Sequence, residues 1–296
     1  MCTENPWAPG TADAVPAVDS ADNRVGPGGA MTRRTALLAS AGVAATTVLS
    51  VSGAGPAAAD SRPRPHRGRG RRVDLTYTLG EDFPVYALGE EAVRSPATTF
   101  EVNGYYMQRW NLYEHTGTHV DAPAHFNPEG RYASELTARE LMVPAVVIDI
   151  ADRAAADPDA VVTVADVRDY ERRRGRIDEG TAVLMYSGWG AKVVDPATYR
   201  GADGSGVLHF PGFSTDVCEW LLRRRKIQAL GVDTLSIDPG NSATFETHKL
   251  LNGADRYGIE NLARLHTLPA TGAFITVGLI PFKHGSGGPA KVLANW

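Results

Sequence analysis

From Val73 onward the chain alternates short apolar runs with amphipathic, charged stretches. Val73-Asp74-Leu75-Thr76 reads as an opening strand. Thr98 to Tyr113 alternates and contains Gly104, which predicts a hairpin. Ala145 to Ile150 is apolar almost throughout, the pattern of a strand buried on both faces. Thr163, with Asp166 three residues on, has the layout of a capping box and predicts a helix to about Arg174. Ala182 to Tyr186 is the next strand, cut by Ser187-Gly188. Ser214 caps a predicted helix to about Lys226, with Val217, Trp220 and Leu221 on its apolar side. Ala229 to Asp233 and Phe274 to Ile280 are two further strands. Strands alternating with helices predict an α/β fold, and the early hairpin predicts a mixed sheet. Residues 73–296 show no internal repeat and no second linker, so they are expected to form a single domain.

The first seventy residues follow another pattern. Residues 1–30 are rich in Gly, Pro, Ala, Ser and Asp and lack the apolar material for a core, so a disordered extension is expected there, upstream of a candidate start at Met31. An arginine pair, Arg33-Arg34, then precedes the alanine-rich run Ala36 to Val51, and Ala57-Ala58-Ala59 supplies a small-residue cleavage site. Residues 31–59 therefore read as a twin-arginine-type signal, which predicts export to the extracellular or cell-envelope space. The run falls short of the roughly 20 strongly apolar residues that span a bilayer. No stable membrane insertion is expected after cleavage; a retained anchor is the alternative. Residues 60–72, with six arginines, read as a basic linker. Cleavage near Ala59 would remove Cys2 and leave Cys218 unpaired, so no disulfide is expected to hold the domain.

Hydrophobic residues make up 43% and charged residues 22% of the 296. These globular values exclude a mainly disordered or polytopic membrane protein. Residues 73–296 carry 21 cations against 29 anions, a net of −8. Phosphate binding needs clustered cations, so nucleic acid is not an expected partner.

The candidate chemistry is concentrated between Glu114 and Phe126. His115, His119, Asp121 and His125 fall within eleven residues, and all have odd numbers. In an extended chain they would face one side, with 119 and 121 about 6.6 Å apart. Gly117 and Pro123 oppose a helix here and permit bends that converge the side chains. For one histidine, an ordinary hydrogen-bonded role is the better reading. Four ligand-type residues in eleven positions favour a shared cation site. Imidazole and carboxylate together suit Zn, Mn or Fe, and three protein ligands leave room for a water.

The run His115-x-Gly117-Thr118-His119-x-Asp121-x-Pro123-x-His125 resembles the signature of the cyclase family of metal-dependent hydrolases, which includes bacterial kynurenine formamidase and isatin hydrolase. Asp74-Leu75-Thr76, the turn Phe210 to Ser214, the segment Gly231 to Asp238 and the closing segment Gly287 to Val292 are similar to other parts of that family. The resemblance implies a single domain with a mixed, partly barrel-like β-sheet flanked by helices, a kynurenine formamidase-like β/β/α swivelling fold. It implies that His248 and Glu260, twelve residues apart, complete the metal site. His115, His119 and Asp121 would hold a first ion. Asp121 would bridge to a second, with His125, His248 and Glu260 as its ligands. Members with one ion would leave His125 free for proton transfer. One or two divalent ions per subunit, Zn or Mn, are implied, and so is a homodimer.

The implied activity is hydrolysis of amide-type carbon–nitrogen bonds in a small amide, formamide or cyclic imide such as N-formylkynurenine or isatin. The cation would polarise the carbonyl and acidify a water. His125 or Glu260 would carry the proton to the leaving nitrogen. A backbone N–H near Gly117 or Ser187 is a candidate for oxyanion contact. Phe83, Tyr86, Trp189 and Phe210 are candidates for stacking on an aromatic substrate, with plain core packing as the competing role. Export argues against routine tryptophan catabolism and for an exogenous substrate. A metal- or ligand-binding protein without turnover, and a cyclase, lactonase or dehydratase, are the alternatives.

Overall fold

The computed structural model describes residues 70–296. The extension 1–30, the signal segment 31–59 and residues 60–69 of the linker lie outside the described residues. Twelve strands follow: β1 (Arg72–Asp74), β2 (Val93–Thr98), β3 (Met107–Asn111), β4 (His119–Asp121), β5 (Met142–Asp149), β6 (Val161–Val162), β7 (Ala182–Tyr186), β8 (Gly212–Phe213), β9 (Ala229–Val232), β10 (Tyr257–Glu260), β11 (Ala273–Leu279) and β12 (Gly287–Asn295). The first begins at Arg72, one residue before the expected domain start.

Seven strands close into a ring in the order β12-β11-β5-β7-β9-β10-β4, because β12 also pairs with β4. The steps β5–β7, β7–β9 and β9–β10 are parallel and the others antiparallel. β12 is long enough to serve two neighbours along one edge. Gly287 to Pro289 pair with β4, and Leu293 to Asn295 pair with β1. The mixed, barrel-like sheet implied by the resemblance is therefore present.

The apolar runs fit this ring because both faces of its strands are covered. In β5 and β7, Ala145, Val147, Ala182 and Leu184 join a core with Leu75, Val120 and Ile259 inside the ring. Their alternates Val146, Ile148, Val183 and Met185 pack against Val167 and Tyr170 of the helix Val164–Arg174, Val217 and Leu221 of the helix Thr215–Arg225, and Leu251 of the helix Glu246–Gly253. Two helix starts match their sequence signals. Asp166 accepts from the Thr163 amide at 2.8 Å, and the Ser214 hydroxyl accepts from the Val217 amide at 3.3 Å. Among the described residues no helix is long and apolar enough to cross a membrane.

The early hairpin differs from its expected form. Its first strand lies further back, at Val93–Thr98, and Phe100–Asn103 coils into one helical turn that Gly104 ends at a φ of 74°. The turn-forming glycine is legible in the sequence; the helical tip is not, because Phe100 and Val102 are exposed and no packing pattern marks them.

One contact fastens the loop that follows the histidine segment. Arg131 forks onto Glu140, with Nη2 donating to Oε1 at 2.7 Å and Nη1 to Oε2 at 3.2 Å, while its Nε donates to Asp255 at 2.8 Å. The Arg131 carbonyl accepts from Ala124 N, next to His125. The Arg131 hydrogen bond pulls Glu140 from its ordinary 4.5 down to about 2, against its burial. A depressed carboxyl stabilises the fold fully above the unfolded value and loses that contribution as pH falls through the folded one. Glu140→Gln should therefore lower stability at pH 7 by about 1 kcal/mol after solvent screening, or about 2–4 °C in Tm. The gap to the wild-type chain should shrink between pH 4.5 and about 2. Thermal melts at pH 7 and pH 3 that show the same gap would contradict this.

Candidate metal centre

β4 carries His119 and Asp121 on one face of the strand. Its neighbours set their surroundings: His119 pairs with Glu260 of β10 and Pro289 of β12, and Asp121 with Gly258 and Gly287. Glycine is required at both of the latter positions. A Cβ on Gly258 would lie 2.8 Å from Asp121 Oδ2, and one on Gly287 would lie 2.6 Å from His115 Cε1. The rest of the segment is not extended. His115 precedes the strand in a turn where Gly117 takes a φ of 71°, and His125 ends the 3-10 turn Pro123–His125. The four side chains converge through bends at Gly117 and Pro123, and strand alternation accounts only for His119 and Asp121. His248 arrives from the first turn of the helix Glu246–Gly253.

All six candidate ligands meet around Asp121. His115 Nδ1 lies 2.6 Å from Asp121 Oδ1. His119 Nε2 lies 3.3 Å from Asp121 Oδ1 and 3.3 Å from Glu260 Oε2. His248 Nε2 lies 3.5 Å from Asp121 Oδ2 and 3.2 Å from Glu260 Oε1. The ring of His125 stacks on that of His115, with centroids 3.9 Å apart. Donor atoms of His115, Asp121 and His125 lie within 4.8 Å of one another, as do those of His119, Asp121 and Glu260. Asp121 is common to both groups, and both cut across the implied ion sets, with His125 beside His115 and His119 beside Glu260.

Two rings have their tautomers assigned by their outer partners. His119 Nδ1 donates to the Gly117 carbonyl at 2.8 Å, and His248 Nδ1 donates to Asp238 Oδ2 at 2.6 Å. Each thereby turns Nε2 inward. His119 Nε2 and Asp121 Oδ2 are fully buried and have no hydrogen-bond partner among the described residues. Such atoms are costly to bury unless a charge satisfies them. Burial by itself would pull His119 down, but Asp121 and Glu260 outweigh it and push it up to about 10. Against burial, Asp121, Asp238 and Glu260 raise His248 as well. The carboxylates draw positive charge to this point. The orphaned atoms and the imidazole–carboxylate donor set fit a first-row divalent cation, which would take the place of those protons. His125 differs. Its ring makes no hydrogen bond among the described residues. Burial, opposed by Asp121 and aided by the other imidazoles, pushes it down to about 3, so it is neutral.

The cluster opens on a cavity of about 270 Å³ lined by Pro84, Tyr86, Glu90, Tyr113, Phe126, Leu235 and Phe245. Of the four expected aromatics only Tyr86 lines it. Phe83, Trp189 and Phe210 are buried in the core, with Phe83 against Tyr77. Phe126 and Phe245 stand in their place, 5.5 Å apart. The Ser187 amide is engaged by the Asp233 carboxylate at 3.0 Å and is not free for an oxyanion. His209 pairs with Asp159 and does not line the cavity. Sequence reasoning also gave no role to Asp238. Its one signal was its place in the segment Gly231 to Asp238. Asn261, which donates to the Gly117 carbonyl at 2.9 Å, directly follows Glu260 and had no signal of its own.

The sequence pattern of the Cyclase family matches residues 73–239. Isatin hydrolase of Roseibium aggregatum is 31% identical over 240 residues, covering 75% of this chain and 90% of the relative. Kynurenine formamidase of Geobacillus thermodenitrificans is 25% identical over 233 residues, covering 74% and 94%. Among solved structures, isatin hydrolase A from Ralstonia solanacearum superposes with a TM-score of 0.74 at 33% identity, covering 77% of this chain and 93% of that one. The likeness spans the ring of strands and the histidine segment alike, and the chain belongs to the cyclase family of metal-dependent hydrolases.

Proposed function

We propose that this hydrolase acts on amide-type bonds of small aromatic molecules, N-formylkynurenine-like formamides or isatin-like cyclic amides and imides, with one or two Zn or Mn ions. One observation carries the reading. Three histidines of the segment 115–125 and the distant His248 and Glu260 gather around Asp121, where His119 Nε2 and Asp121 Oδ2 have no hydrogen-bond partner among the described residues. His115, His119, Asp121, His248 and Glu260 would hold the cation. When bound, it would polarise a carbonyl and bring the pKa of a water toward neutrality.

The chain's own residues supply the rest. Glu260 Oε1 accepts from the Ile237 amide at 2.9 Å, which supports its assignment as a fixed ligand. That leaves His125 to take a proton from the attacking water and return it to the leaving nitrogen; its neutrality and unpartnered ring support this role. Phe126 and Phe245 would stack on a planar substrate. Burial, with Glu260 and Asp238, pushes Tyr86 up to about 12, so its hydroxyl stays a donor for a substrate carbonyl.

We further propose export by the segment 31–59 and assembly as a homodimer. The arm β2–β3 supports the second point, because it exposes Phe100, Val102, Tyr105 and Tyr106 together. An exported enzyme meets exogenous cyclic amides or formamides, which favours those substrates over an intracellular catabolite.

Three outcomes test these readings. Asp121→Ala should remain soluble and lose cation-dependent hydrolysis of N-formylkynurenine or isatin by more than the roughly 100-fold that an outer-shell loss costs; full activity in that variant sinks the enzyme. His125→Asn should keep its cation content and lose about 10²–10⁴-fold in kcat, whereas loss of the cation would reassign His125 as a ligand. Light scattering on protein recovered outside the cell should give twice the mass of a chain starting at Asp60. A monomer mass dismisses the dimer, and protein retained inside dismisses the signal.

A further inference from the structure

His115 has an outer partner of a different kind from those of His119 and His248. Its Nε2 lies 2.9 Å from Ser286 Oγ, which in turn lies 2.6 Å from Glu114 Oε2. The Ser286 amide also donates to Glu114 Oε2, at 2.8 Å. The site is closely built. The Ser286 carbonyl accepts from Ala122 N at the end of β4, at 2.9 Å. Ser286 is flanked by two glycines, where a Cβ on Gly285 would lie 3.0 Å from Glu114 Oε1 and one on Gly287 2.6 Å from His115 Cε1.

The proton count decides the direction of these bonds. A carboxylate only accepts, and a serine hydroxyl has one proton. That proton goes to Glu114, so the hydroxyl meets His115 with a lone pair, and His115 Nε2 must carry a hydrogen. In the neutral ring Nδ1 then presents its lone pair, 2.6 Å from Asp121 Oδ1. Two electron pairs at that distance repel unless a positive charge joins them.

We propose that Glu114 and Ser286 are positioning residues, a carboxylate–hydroxyl–imidazole relay that holds His115 as the Nε2–H tautomer and aims Nδ1 at the cation. The inference rests on the reading of the cluster as a metal centre and adds two residues to it. Glu114 adjoins His115 in the chain, whereas Ser286 comes from the segment that leads into β12, so the relay ties the ring's closing strand to the site.

The test is zinc affinity, read by competition with a chromophoric chelator. Ser286→Ala removes the acceptor at Nε2. Glu114→Leu keeps the bulk but removes the carboxylate that takes the hydroxyl proton, which lets that proton turn toward His115 and the ring hydrogen move to Nδ1. Both variants should bind zinc about 10–100-fold more weakly, and Ser286→Thr, which keeps the hydroxyl, should stay within about threefold of the wild-type chain. Melts of the metal-free variants check that each is folded. In the zinc-loaded wild-type chain, 15N NMR should place the His115 hydrogen on Nε2. Unchanged affinity in both Ser286→Ala and Glu114→Leu, or a ring hydrogen on Nδ1, overturns the relay while leaving the metal centre standing. A wild-type chain that binds no zinc overturns both.

Discussion

A carboxylate held out of water at the end of a three-residue strand organises this molecule. Asp121 is 1% exposed, and one of its oxygens finds no hydrogen-bond donor among the described residues. An unpaired ionised carboxylate in such a place costs several kcal/mol. The fold tolerates it only because imidazoles ring Asp121, and the second carboxylate, Glu260, adds to the negative charge they must balance. Negative charge gathered this densely is unfavourable unless cations or protons balance it. The arrangement is a liability for an empty core and an asset for an ion-binding one.

The ring of strands is what makes that concentration possible. β4 is short, and it stands between β10 and β12 only because β12 extends far enough to pair with it beyond its contact with β1. The cross-strand glycines at 258 and 287 remove the side chains that would otherwise fill the space Asp121 and His115 occupy. Around this centre the imidazoles differ in how tightly they are held. His119 is tied to a backbone carbonyl, His248 to Asp238, and His115 to a serine backed by a glutamate. The His125 ring packs against His115 and Phe126 and makes no hydrogen bond among the described residues. Rings with fixed outer partners suit ligation, and a ring without one suits proton transfer. The same division of labour assigns the aromatics: Phe126 and Phe245 line the cavity, while Trp189 and Phe210 are sealed into the core beside it.

Much of this is legible along the chain. Local signals with a local mechanism carry through to the fold: the capping pairs at Thr163 and Ser214, the doubly buried apolar runs of β5 and β7, and the signature from His115 to His125 with its two distant companions. Each depends on neighbours in sequence or on a spacing that a family retains. The expectation of one extended face from 115 to 125 is too simple, because Gly117 and Pro123 break the strand on both sides and reach the same convergence by another path.

The sequence by itself determined the composition of the site: which imidazoles and acids are available, that the segment bends, and that the domain alternates strand and helix. Tertiary structure decided which of those groups face one another. Ser286, Asp238 and Phe245 acquire their places only when β12, the segment after β9 and the helix Glu246–Gly253 close around β4. Their roles come from contacts between residues that are far apart along the chain, Ser286 and His115 being 171 positions apart. No pattern of nearby residues encodes a contact of that kind, because its energy exists only once the ring has closed.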